Sequence, residues 1–159
     1  MNITLSRKEF TRLIELVYMG EQIVITTDPD NGPRAKRYGS LVQKIYALAA
    51  NDQDGRPEYV EEDEENEGEF IPSMRLEIES LAASALERYE NYIFWEELIS
   101  RLAERDADRE ETRNPSPSPE EMFEKQISLE ERLEERYRDE FVQNDLNNVF
   151  VMFGSDRLS

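Results

Sequence analysis

Apolar residues recur along this chain at three- and four-residue intervals, in runs bounded by helix-capping signals, and that pattern narrows the possible folds most. Ser6 and Glu9 form a capping box ahead of Phe10, Leu13, Ile14, Val17 and Tyr18, which predicts a first helix over about 7–19 ending near Gly20. A second helix is expected over about 35–50, with Tyr38, Leu41, Val42, Ile45, Leu48 and Ala49 as its buried stripe. From Ser73 to about Arg109 the pattern stays helical. Leu81, Ala82, Ala85, Leu86 and Tyr89 make one stripe, and Phe94, Trp95, Leu98, Leu102 and Ala103 a second. The stripe drifts across 89–93, so two helices meeting at a bend are expected there. Ser118, Pro119 and Glu121 supply an N-cap, a first-turn proline and a capping glutamate for a further helix. Ser128 with Glu131 repeats the capping pattern, which predicts a joint near 127–128 before a longer helix carrying Leu129, Leu133, Tyr137 and Phe141. Asn144 and Asp145 end it.

Strand signals are sparse. Ile3 and Leu5 alternate with polar residues, Ile23 to Thr27 is β-branched, and Val149 to Phe153 is the most β-like run. A helical continuation is the alternative for Ile23 to Thr27. A turn is expected over DPDNGP at 28–33. A lone strand needs a partner, so the two ends of the chain are expected to pair. The fold class read from these elements is mainly α, a single-domain bundle of five to six helices with a small two- or three-stranded sheet from the chain termini.

At 159 residues the chain has the length of one ordinary domain. Its hydrophobic content of 38% and charged content of 35% suit helices with wide solvated faces. The net charge of −18 is unevenly placed: residues 51–70 hold 10 acidic and 1 basic side chains, half of the total in one eighth of the chain. That segment, with a like-charge run at 61–65 and no apolar period, reads as a mobile acidic loop over 51–72. As an unstructured connector, it would tolerate removal of residues 61–68 with almost no change in melting temperature. A second polar stretch, 108–118, reads as a linker, and 1–159 is taken as a single domain.

The chain has no Cys and no His, which removes disulfides, thiolate metal sites, Ser-His-Asp and Cys-His catalysis, and imidazole proton transfer. Asp52, Asp54, Gly55 and Glu61 match part of an EF-hand loop, but Ala50 stands at the first ligand position and Pro57 at the eighth, so the plain reading is a solvated turn. Glu120, Glu121 and Glu124, and again Glu130, Glu131 and Glu134, have the E-E-x-x-E spacing of all-helical, magnesium-dependent pyrophosphohydrolases. Neither is followed by the E-x-x-D half of that motif. A solvated helix face with Arg partners is the plain reading. No cofactor is expected.

The basic residues Arg34, Lys36, Arg37 and Lys44 on the second helix, with Trp95 among the aromatics at 89–95, are the candidate partner-binding residues. Arg7, Lys8 and Arg12 would join that patch if the first two helices pack together. No apolar run reaches signal-peptide or membrane-spanning length, which points to a cytoplasmic protein without a membrane partner. Negative charge disfavours direct nucleic-acid binding.

The runs ITLSRKEFTRLIELVYMGE at 3–21, FWEELISRLAERD at 94–106 and LEERYRDEFVQNDLNNVFV at 133–151 resemble a set of small, acidic, uncharacterised bacterial helical proteins. That resemblance implies a bacterial cytoplasmic origin. The function expected is a non-enzymatic interaction or regulatory module presenting an acidic surface to a protein partner, a basic one by charge, with homo-oligomers allowed. The alternatives are a divalent-metal-dependent nucleotide or phosphoester hydrolase using helix-borne carboxylates, and an acidic DNA mimic.

Overall fold

A computed structural model gives the fold and describes residues 2–27, 32–51 and 59–150, with Arg34 described by its backbone alone. It is mainly helical, with one small antiparallel sheet. The elements are α1 (Arg7–Thr27), α2 (Pro33–Asn51), β1 (Val60–Glu62), β2 (Phe70–Pro72), a π-helical turn (Arg75–Glu79), α3 (Leu81–Arg113) and α4 (Pro119–Asn144). Among the described residues no helix is long and apolar enough to cross a membrane. The chain divides into two compact units, residues 1–90 and 91–159.

In the first unit, α1 begins at the capping box read from the sequence. The Ser6 N–H donates to Glu9 Oε2 at 2.8 Å, and the Glu9 N–H reaches back to Ser6 Oγ at 3.4 Å. The helix then runs through Gly20 to Thr27 rather than stopping, so Ile23 to Thr27 is helical and not a strand. Two hydroxyls bond back onto that end: Thr26 Oγ1 donates to the Gln22 carbonyl and Thr27 Oγ1 to the Ile23 carbonyl, both at 2.8 Å.

The core joins Ile14 and Tyr18 of α1 to Val42, Tyr46 and Ala49 of α2, closed by Leu76 and by Ala82 at the start of α3. The buried face of α2 is therefore rotated from the expected one. Leu41 and Leu48 are 57% and 61% exposed, whereas Tyr46, outside the predicted stripe, is fully buried. A partner for the phenol explains this, because Tyr46 Oη donates to Glu21 Oε2 at 2.6 Å.

The sheet is not built from the termini. Ile3 to Leu5 forms no strand, Val149 and Phe150 form none, and residues 151–153 lie outside the described residues. The strands come instead from the acidic segment, paired as Val60 with Pro72, Glu61 with Ile71 and Glu62 with Phe70. The segment 59–72, expected to be an unstructured loop, is a β-hairpin because its few apolar residues, Tyr59, Val60 and Phe70, pack on the core. The turn at 28–31 and the partial EF-hand residues Asp52, Asp54 and Gly55 lie outside the described residues.

Two buried serines shape the passage into α3. The Ser73 carbonyl accepts from the Leu76 and Glu77 N–H groups at 2.9 and 3.1 Å. Ser80 Oγ donates to the Leu76 carbonyl at 2.6 Å and accepts from the Ala83 N–H at 3.0 Å, so one hydroxyl closes the π-turn and caps α3. From there α3 is continuous, with no break across 89–93, where neither Gly nor Pro interrupts the pattern. It also continues to Arg113, so the polar stretch 108–118 is helical over its first half.

The second unit pairs residues 91–113 of α3 with α4. The helices run antiparallel, since Lys125 meets Glu111 near one end and Arg138 meets Glu96 near the other. Ile99, Ala103 and Ala107 of α3 and Phe141 of α4 are buried. Ser118 caps α4 by accepting from the Glu121 N–H at 3.2 Å, with Pro119 at the first position. No joint interrupts the helix at 127–128, and the second capping pattern lies mid-helix. Asp145 ends it at a positive φ of 53°, with its N–H bonded to the Phe141 carbonyl.

Candidate functional site

The hairpin is the most distinctive surface of the first unit, and its order comes from a few polar contacts. Asp63 starts an Asx turn, accepting from the Glu65 N–H at 2.8 Å and from Asn66 Nδ2 at 2.7 Å, and these bonds hold its carboxyl below the usual carboxylate range. Gly68, at φ 83°, completes the reversal in a conformation that disfavours other residues. The main anchor comes from α2. Gln43 Nε2 donates to the Phe70 carbonyl at 2.8 Å, and Gln43 Oε1 accepts from the Phe70 N–H at 2.9 Å, so one amide satisfies both backbone groups of a strand residue. Glu61, Glu62, Glu64, Glu65, Glu67 and Glu69 are all exposed on this scaffold.

Beneath it, carboxylates meet phenols. Burial raises the Glu21 carboxyl above its ordinary value, against the opposing effect of the Tyr46 hydroxyl. Burial also raises Tyr46, with the Glu21 charge adding to it. Tyr59 Oη donates to Glu15 Oε1 at 3.4 Å, tying the foot of the hairpin to α1. Leu41 and Tyr38, turned away from the core, line an apolar groove of about 240 Å³ together with Val17, Glu21 and Val24.

Of the candidate partner-binding residues, Lys36, Arg37 and Lys44 are exposed on α2, and nothing is described of the Arg34 side chain. Trp95 belongs to the other unit. It is half-buried, edge-on to Phe94 with ring centroids 5.0 Å apart and tilted against Phe141 at 5.3 Å, which makes it a packing anchor of the helical pair. The basic patch and Trp95 thus lie in separate compact units.

In the second unit the titratable groups form a network centred on Asp106. It pairs with Arg105 at 2.8 Å and Arg109 at 3.1 Å, and it accepts the Tyr137 hydroxyl. The Arg105 guanidinium, with help from Tyr137 and Arg109, takes the Asp106 carboxyl down to about 2. The Arg138 guanidinium likewise lowers Glu96, and the Ser116 N–H, followed by Lys125, lowers Glu111. Glu120, Glu121, Glu124 and Glu131 are exposed, and Glu130 and Glu134 are half-buried along α4. Among the described residues no group of three or more carboxylates could hold a metal ion.

No family model, curated protein or solved structure matches this chain.

The residues that organise these surfaces carry little sequence signal. Gln43 is an ordinary polar residue in a helix, and its partner lies 27 positions away. The turn chemistry of Asp63, Asn66 and Gly68 could have revealed the hairpin, but the surrounding acids masked it.

Proposed function

We propose that this chain is a non-enzymatic interaction module of the bacterial cytoplasm whose β1–β2 hairpin offers a fixed acidic surface to a basic protein partner. The observation that carries this reading is the reciprocal pair of hydrogen bonds between Gln43 and Phe70, which fixes the hairpin on α2 and holds its exposed glutamates on an ordered scaffold. A fixed set of charges loses less conformational entropy on binding than a mobile one, and like charges held together steer an oppositely charged partner. The first unit is electrically neutral apart from residues 51–70, so this segment supplies its whole net charge of −9.

The test is capture from bacterial lysate at about 50 mM and about 500 mM salt, a span that shortens the screening length severalfold. A protein held at low salt and released at high salt is expected. A variant with Glu64, Glu65, Glu67 and Glu69 all changed to Gln should lose it while melting normally. Equal capture by that variant overturns the assignment to the hairpin.

A further inference from the structure

Basic side chains are the minority in the second unit, 9 against 18 acidic ones, yet they do not spread evenly. Arg109 and Arg113 of α3, with Lys125, Arg132 and Arg136 of α4, line one open groove of about 570 Å³. Five of the nine therefore converge on one surface of a unit whose net charge is −9. Only two carboxylates line the same groove, Asp106 and Glu110. Both are engaged: Asp106 with Arg105, Arg109 and Tyr137, and Glu110 with Asn114 Nδ2 at 2.6 Å.

The cations are left with donors to spare. Arg113 and Arg136 make no ion pair among the described residues, and Arg132 uses only its Nε, at 3.2 Å from the Ser128 carbonyl. Holding several guanidinium groups around one groove costs Coulomb energy unless an anion joins them. The planar fork of Arg matches the paired oxygens of a phosphate, and Leu129 and Leu133 give the groove an apolar element as well. A volume of this size falls in the range of small-molecule sites. Long nucleic acid fits poorly, because its backbone would run out of the groove into the field of a chain with net charge −18.

We propose that this groove binds a compact oligophosphate, either an inorganic di- or triphosphate or the phosphate end of a nucleotide, with Arg113, Arg132 and Arg136 as its principal contacts. The full chain, in metal-free buffer at about 50 mM salt, is titrated calorimetrically with pyrophosphate, tripolyphosphate and ATP. Saturable 1:1 binding of at least one of them is expected. The double variant Arg132→Ala/Arg136→Ala should weaken it on the order of tenfold or more, because charge-assisted bonds are lost, and Arg113→Ala should weaken it severalfold. Arg101→Ala, which removes an exposed side chain paired with Glu97 outside the groove, should leave binding unchanged. ATP binding tighter than tripolyphosphate assigns the site to nucleotides, and equal affinities assign it to the phosphate chain alone. The proposal is overturned by the absence of saturable heat at millimolar ligand, or by equal affinity of wild type and the double variant. Tighter binding of a single-stranded oligonucleotide or of polyglutamate than of tripolyphosphate overturns it too. A circular-dichroism melt of each variant confirms that it is folded.

Discussion

Two carboxylates of this chain respond to pH in opposite senses, because one is buried beside a phenol and the other is surrounded by arginines. The Glu21 carboxyl is raised above its ordinary 4.5, so the folded state holds that proton more tightly than the unfolded one. Its contribution to stability is complete below pH 4.5 and is lost as pH rises through the raised value. Glu21→Gln keeps an acceptor for Tyr46 without the buried charge. It should raise the melting midpoint at pH 7 by roughly 2–4 °C, equivalent to about 1 kcal/mol, and flatten the pH dependence above 4.5; a lower midpoint at pH 7 would refute the account. Asp106 behaves conversely. Lowered from 3.8 to about 2, it stabilises the fold above pH 3.8, and that contribution disappears as pH falls toward 2. Asp106→Asn should cost on the order of 1 kcal/mol at pH 7 and almost nothing near pH 2, read from urea melts at both values.

Among the elements, the hairpin changes what a deletion should do. An unstructured acidic loop could lose residues 61–68 at little cost, but here that deletion removes most of β1 and the turn, and it leaves Phe70 without its cross-strand neighbour Glu62. The melting midpoint of the deleted chain is expected to fall by roughly 5 °C or more, as about 2 kcal/mol of packing and hydrogen bonding is lost. An unchanged midpoint would mean that the strands contribute nothing. The helices show what the sequence can reveal. At α1 the capping box and the stripe of Phe10, Ile14, Val17 and Tyr18 were legible, because both signals are local. On α4, Leu129, Leu133, Tyr137 and Phe141 turned inward as their spacing implied. α2 was legible as a helix but not in its orientation. It is apolar on more than one side, and the choice of Tyr46 over Leu41 and Leu48 depends on Glu21, 25 residues away. The groove of arginines was illegible for a related reason: α3 and α4 each read as mixed-charge surfaces, and only their antiparallel pairing brings the cations together.

Taken over the whole chain, the two compact units carry equal net charge, −9 each, arranged differently. The first concentrates it in one segment, while the second distributes acids along two helices and gathers cations in one groove. Self-repulsion at this charge opposes compaction, and added salt screens it. The six ion pairs found among the described residues each keep at least one side chain more than a third exposed, and lose little when screened. Raising NaCl from about 20 mM to about 300 mM should therefore raise the melting temperature by a few degrees. A decrease would show that attraction within the ion pairs outweighs repulsion.

The side-chain amide of Gln43 has one more consequence. In the ladder of β1 and β2, Phe70 sits at a position whose N–H and carbonyl face away from β1, along the open margin of the sheet. Such a margin is a template on which another extended chain can add itself, and short sheets are vulnerable there. Gln43 occupies both groups, much as a neighbouring strand would. Gln43→Ala should therefore do more than soften the fold: on prolonged incubation it should yield thioflavin-binding, β-rich assemblies that the wild type does not form, the amide having served as a guard against polymerisation.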